Sequence, residues 1–449
     1  MSRMLDQDML DEVFGPLSAA NTAYAEKRPG ARTDRQPVHT VYGGAQLFKA
    51  DTAGKMGQVA LRHFKAYAPD SAQFSRAFEL PGDSSLAAIV YDRVVKKLEL
   101  EPVEDFRIDF EDGFGVRTDH VEDAEARRTG EEVAKGKREG SIPPFIGIRI
   151  KALNEENRDR AVRTLDLFVT SLLGSSGGQM PENFVVTLPK VTIPAQVAAL
   201  AQICGMIESA HSLERGSLKM ELMIETPGSI MGEGGRAALH RLVEAADGRC
   251  IAAHFGVYDY TASLEITASQ QTMGHDVCQF ARHMMQTSLA GTGIWISDGA
   301  TNVMPVGPHR ASEGKTLTPQ QEAENRKVVH RAWRLAYDDT TRSLESGFYQ
   351  GWDLHPAQLT ARYTAVYTFF LKSLDSAALR LTTFVDKAAQ ATLVGDIFDD
   401  AATGQGLLNY FLRALNCGAI TVEEAMKTGL TIDELRSRSF TKIVEHRTK

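Results

Sequence analysis

The chain has 449 residues, 43% of them hydrophobic and 24% charged, and 50 Lys+Arg against 58 Asp+Glu leave a net charge of −8. That length suits two or three ordinary domains or one large barrel with additions. Mild acidity with no basic block excludes nucleic acid and anionic membrane as natural partners.

No apolar run approaches the roughly 20 residues that span a bilayer. The charged opening MSRMLDQDMLDEVFG predicts no secretory leader. Cys204, Cys250, Cys278 and Cys417 lie far apart without CxxC spacing. They read as buried thiols in a reducing, cytoplasmic setting, not as a zinc site or a disulfide framework.

Residues 1–36 read as a helical N-terminal extension ending in a Pro/Arg-rich entry. Eight apolar, β-rich runs follow. They are PVHTVYGG (37–44), VEDFRIDFEDG (103–113), FIGIRIKAL (145–153), FVVTLPKV (184–191), KMELMIETPGS (219–229), CIAAHFGVYDY (250–260), GIWISDG (293–299) and GWDLHPAQ (351–358). Amphipathic stretches such as LAAIVYDRVVKKLEL, RDRAVRTLDLFVTSLL and AQVAALAQICGMIESA lie between them. Alternating strands and helices predict parallel βαβ units, and eight of them predict an α/β fold, a (β/α)8 TIM barrel over 37–375. A Rossmann-like open sheet is the competing arrangement, but no run is followed by GxGxxG. The charged stretch 121–140 reads as a solvated helix. Residues 376–449 show four helical patterns and no strand, a C-terminal helical cap or oligomerisation segment.

In such a barrel the chemistry sits at the C-terminal ends of the strands. Those positions hold Glu111-Asp112-Gly113, Arg149 with Lys151, Lys190, Glu225-Thr226-Pro227-Gly228, Tyr258-Asp259-Tyr260, Asp298-Gly299 and His355-Pro356. So many charges at one rim cost desolvation unless they are paired or bound to a metal or substrate. Carboxylates with no cysteine and few histidines suit a hard cation, Mg²⁺ or Mn²⁺, and a 2-oxo or 2-hydroxy acid can chelate it. A cation and a guanidinium beside those oxygens would stabilise an enolate.

Plainer readings stand beside these. Glu225 and Asp259 could cap the helices that follow. Arg149, inside an apolar strand, needs a buried anion, which Glu111 or Asp112 could supply. Lys190 could form a Schiff base, but an acidic rim opposes the lowered pKa this needs, so it reads as an ion-pair residue. His355 could act as a base or fix the barrel seam by hydrogen bonding. His254 reads as a core histidine. The loop GSIMGEGGR could cradle a phosphate or simply turn.

The runs FRIDFEDG, IGIRIKAL, TLPKV, ELMIETPGSI, HFGVYDYTASL, IWISDGATN and GWDLHPAQL, in this order over residues 103–360, resemble the citrate lyase β-subunit-like (HpcH/HpaI aldolase) family of pyruvate/phosphoenolpyruvate-binding barrels. The resemblance implies that Glu225 and Asp259 ligate Mg²⁺. It implies that Arg149 holds the acid's carboxylate and developing enolate oxygen, and that Glu111 and Asp112 orient metal-bound water or substrate. Thr226, Pro227, Gly228 and His355 would line the substrate. It also implies a homo-oligomer, trimer or hexamer, whose C-terminal segment brings an acidic residue to a neighbour's site, with Asp386, Asp399 and Asp400 as candidates. The first run, VHTVYGGAQLF, has Gly43-Gly44 where coenzyme A-using members carry an RSxLFVPG-like strand, which leaves CoA open. The expected function is a Mg²⁺-dependent C–C lyase or aldolase on a 2-oxo or 2-hydroxy acid. The alternatives are thioester hydrolysis on the same site and oxo-acid binding without turnover.

Overall fold

The computed structural model describes residues 6–30, 32–311, 316–387, 392–394, 397–399, 401–437 and 443. Each of the eight runs forms a parallel strand: β1 His39–Gly44, β2 Asp105–Asp109, β3 Phe145–Arg149, β4 Phe184–Leu188, β5 Lys219–Ile224, β6 Cys250–Phe255, β7 Trp295–Ala300 and β8 Gln350–Asp353. Neighbours pair in sequence order, and β8 pairs with β1 to close the barrel. Among the described residues no helix is long and apolar enough to cross a membrane.

The helices among the described residues are α1 Gln7–Lys27, α2 Thr52–Tyr67, α3 Ser71–Phe78, α4 Ser84–Leu100, α5 Asp119–Glu139, α6 Arg158–Ser176, α7 Pro194–Ala210, α8 Pro227–Ile230, α9 Leu239–Ala245, α10 Val257–Ser263, α11 Asp276–Leu289, α12 Pro319–Glu345, α13 Leu359–Leu371, α14 Leu374–Asp386, α15 Ala401–Asn416, α16 Val422–Ala425 and α17 Ile432–Ser437. Two expectations need correction. Helix α5 is not solvated all round: Ala126, Thr129, Gly130, Val133 and Ala134 are buried. Gly130 lets α5 approach α6 closely, since a Cβ there would meet the Phe168 carbonyl at 2.5 Å. The C-terminal segment does contain strands, β9 Thr392–Val394 and β10 Ile397–Asp399, paired antiparallel. At three residues each they are shorter than the runs a periodicity reading detects.

The barrel interior is ionic as well as apolar. Along β2 the residues alternate: Phe106 and Ile108 join the hydrophobic core, while Asp105, Arg107 and Asp109 are buried in polar contacts. Arg107 donates to both oxygens of Glu221 on β5, at 2.6 and 2.7 Å, and to Thr187 on β4 at 3.2 Å. Its remaining arm reaches Asp105, which accepts from Thr40 on β1 at 2.7 Å. Leaving any one of these buried charges alone would be strongly destabilising.

The β1–β8 seam is fixed the same way. His39 accepts the Glu104 N–H at Nε2 (3.0 Å), so its proton lies on Nδ1, 2.9 Å from Asp353 Oδ2. Arg362 of α13 donates to Asp353 at 3.1–3.3 Å. Burial opposes the Asp353 charge, but Arg362 and His39 overcome it and hold the carboxyl at about 2, below its ordinary 3.8. A depressed carboxyl stabilises the fold above its unfolded pKa and loses that contribution as pH falls through the folded one. Asp353→Asn should therefore cost about 3–5 kcal/mol near neutral pH, because it strands Arg362. It should also flatten the fall in stability between about pH 4 and pH 2. Urea unfolding of both proteins across that range checks both outcomes.

Candidate active site

The C-terminal mouth of the barrel gathers six of the singled-out residues: Glu111, Asp112, Arg149, Lys190, Glu225 and Asp259. Their placement starts with Arg149, the last residue of β3. The register sets it beside Asp109, the last residue of β2. Asp109 accepts from Arg149 Nε at 2.7 Å and from Nη2 at 2.5 Å, a two-pronged pair. It also accepts the backbone N–H groups of Glu111 (3.0 Å) and Gly113 (2.7 Å). Burial works against the Asp109 charge, yet Arg149 and these N–H groups hold its carboxyl below the usual range. The main partner of Arg149 is thus Asp109. This corrects the expectation of Glu111 or Asp112, which stand at 3.3 and 3.9 Å. The guanidinium also lies 4.9 Å from the ring centre of Tyr42 on β1.

The loop after β2 turns Glu111 back into the mouth. Its Oε1 takes Lys190 Nζ at 2.5 Å, while its buried Oε2 has no hydrogen-bond partner. Lys190 stands just past β4 with φ of 50°, in the left-handed region. That turn aims its ammonium at Asp112 (3.1 Å) and Asp259 (3.8 Å) as well. Its pKa is raised against the opposing effect of burial, chiefly by Glu111, the reverse of what a Schiff-base amine needs.

Glu225 follows β5 and is 1% exposed. One oxygen accepts the Lys190 N–H at 2.7 Å. Burial first, and then the Asp259 charge, push its carboxyl up to about 8. Burial raises Asp259 and Glu111 too. Gly256 makes room for Glu225, since a Cβ there would stand 2.3 Å from Glu225 Oε2. Among the described residues no three Asp, Glu, His or Cys side chains form a ready-made metal cage. The donor chemistry nevertheless suits a hard cation: Glu111, Asp112 and Asp259 gather around one ammonium, and the buried Glu111 Oε2 accepts no hydrogen bond.

The remaining candidates have other engagements. Thr226 caps α8, accepting from Ser229 N (3.2 Å) and donating to the Val191 carbonyl (2.6 Å). Pro227 opens α8, and a Cβ on Gly228 would press on the Thr192 carbonyl at 3.0 Å. His355 accepts from Ala357 N at 3.1 Å and lies near His63 of α2. No hydrogen bond or ion pair joins it to the mouth carboxylates among the described residues. Lys151 turns to Glu122 (3.0 Å), and Asp298 is taken by Arg282 (2.8 Å) and Ser343 (2.6 Å). His254, fully buried, is held down to about 4 by burial, so it is neutral. The loop GSIMGEGGR forms a small turn closed by Gly232 N to the Arg236 carbonyl at 2.8 Å. Asp386 ends α14 and Asp399 ends β10; Asp400 lies outside the described residues.

Solved structures resemble this chain at low identity. A citrate lyase from Burkholderia xenovorans LB400 superposes with a TM-score of 0.54 and 16% identity, over 89% of this chain and 100% of that one. The malate synthase of Haloferax volcanii gives 0.48 and 15%, over 90% and 100%. The protein CitE of Mycobacterium tuberculosis, in complex with magnesium, acetoacetate and coenzyme A, gives 0.47 and 14%, over 86% and 100%. The likeness to the citrate lyase is one of fold. No curated protein matches the sequence. The family model described as Domain of unknown function (DUF6986) matches residues 17–443, and the chain belongs to that family.

Proposed function

We propose that this protein is a divergent relative of the citrate lyase β-subunit-like barrels and a Mg²⁺-dependent C–C lyase or aldolase acting on a 2-oxo or 2-hydroxy acid. The observation that carries the reading is the mouth itself. Arg149 is held rigid by Asp109 and faces a cluster of carboxylates whose acids outnumber its bases.

Glu225 and Asp259 would hold the cation, with Glu111 and Asp112 beside them. A bound divalent ion would supply positive charge where negative charge develops on the acid's oxygens. Arg149 does the complementary work. Its Nε and Nη2 are committed to Asp109, so the guanidinium cannot swing, and its Nη1 edge, 3.3 Å from Glu111, remains for a substrate carboxylate. A preorganised donor of this kind needs no reorganisation as charge builds during C–C cleavage. Lys190 ties the largely buried Glu111 and the exposed Asp112 together at the mouth.

Glu225→Gln and Asp259→Asn should each abolish Mg²⁺ or Mn²⁺ binding in calorimetry and abolish turnover, with an unchanged circular dichroism spectrum. Turnover retained in either variant sinks the reading. Gly256→Ala tests the same site from the backbone. Its methyl group displaces the Glu225 carboxylate, so cation affinity should fall at least tenfold, on the order of 1.4 kcal/mol, for about 1–3 kcal/mol of lost stability. Arg149→Lys should weaken oxalate binding in the presence of Mg²⁺ by roughly tenfold or more, because the ammonium cannot serve Asp109 and a substrate carboxylate together.

A further inference from the structure

Helix α1 precedes the barrel without packing into it. It runs for 21 residues, none of them buried. Among the described residues, the hydrogen bonds that tie this end of the chain to the body start at the helix's last turn. Lys27 pairs with Glu244 at 2.9 Å, and Arg28 donates to the Ala290 carbonyl. The large apolar side chains of α1 are left open: Met9, Val13, Phe14, Leu17 and Tyr24 are between 49% and 66% exposed.

These residues follow a heptad. Leu10, Leu17 and Tyr24 recur every seven positions, Val13 and Ala20 fall between them, and Met9, Phe14 and Ala25 flank the stripe. Asp8, Asp11, Glu12 and Glu26 all lie on the opposite face at helical spacing, so the stripe carries no acidic residue and Asn21 is its polar member. Helices in proteins draw most of their stability from packing such a face. Pro16 inside α1 raises the need, since an interior proline costs about 3 kcal/mol or more.

The stripe is complementary to itself. Its first half is bulky, with Met9, Val13 and Phe14, and its second half carries Ala20, Asn21 and Ala25 beside Tyr24. Two copies of α1 running in opposite directions and crossing at Leu17 set Phe14 against Ala20 and Met9 against Ala25 across the pair. Parallel copies would set bulk against bulk and alanine against alanine. Opposite directions also keep the two barrels, each attached past Lys27, at the two ends of a pair about 30 Å long. The five exposed side chains offer on the order of 500 Å² per copy, more than half of the ~800 Å² per partner in a standard interface.

We propose that α1 is a self-association surface, on which a second copy of this chain docks its own α1 antiparallel about a two-fold axis. Such a contact is isologous and closes on itself. It rests on the N-terminal helix alone and does not depend on the reaction proposed at the mouth.

The test uses the full chain. Sedimentation equilibrium at about 50 µM should give an even number of copies. Val13→Glu and Leu17→Glu place a charge in the seam and should each halve that number, with an unchanged circular dichroism spectrum. Asp8→Asn, on the outer face, should leave it unchanged. Leu17→Cys, at the crossing, should cross-link two copies under oxidised glutathione. Leu10→Cys, which an antiparallel partner carries to the far end, should not. Cys204, Cys250, Cys278 and Cys417 are buried and add little background. An odd number of copies, a monomer included, overturns the proposal. So does an assembly that the folded glutamate variants leave intact, or cross-linking of Leu10→Cys as ready as that of Leu17→Cys.

Discussion

Most charges inside the barrel are paired at close range, and much of the molecule follows from that constraint. Taking a carboxylate or guanidinium out of water costs more than most single contacts return, so each must meet a partner at close range. Along the barrel axis these partnerships form tiers. Arg107 joins Asp105 and Glu221 in the middle. Arg149 joins Asp109 at the mouth, and Arg362 joins Asp353 at the seam. At the mouth the pairing falls short. Once Asp109 has claimed Arg149, Glu111, Asp112 and Asp259 share chiefly the Lys190 ammonium, while Glu225 accepts the Lys190 backbone N–H. The surplus of negative charge sits where a barrel of this kind is open to ligands.

The mouth therefore differs in electrical character from the paired tiers beneath it. The mouth is carboxylate-rich and suited to a cation. Middle and mouth are built from the same strands, because side chains alternate along a strand and successive tiers can carry different chemistry.

Most of this was legible in the sequence because the barrel repeats one pattern. Each run had enough apolar residues to read as a strand, and all but the first ended in a charged or titratable group. Asp109 was harder to find. Its signal lay in the spacing Asp105, Arg107, Asp109, which places all three on one face of β2, but only the inter-strand register sets Arg149 opposite it. Nothing in the sequence singles out Gly256; the position of Glu225 gives its small size a reason. Helices α2 and α3 also escaped the pattern. Gly54 and Gly57 weaken helix propensity in the first turns of α2, and Gly57 is needed because a Cβ there would meet Pro102 at 2.4 Å. Helix α3 is only eight residues long. The strands β9 and β10 were too brief to read.

The seam has a further consequence for how the chain reaches this shape. His39 and Asp353 are separated by 314 residues, yet their contact joins the first strand to the last. During synthesis β1 can find β2 early, but its other edge has no neighbour until nearly four-fifths of the polypeptide has been made. Until then an open row of backbone donors and acceptors is exposed to stray pairing. Closing so long a loop also makes late assembly slow relative to local helix formation. The nascent chain thus spends its most vulnerable interval just before β8 emerges, which makes that edge the natural point for a chaperone to guard.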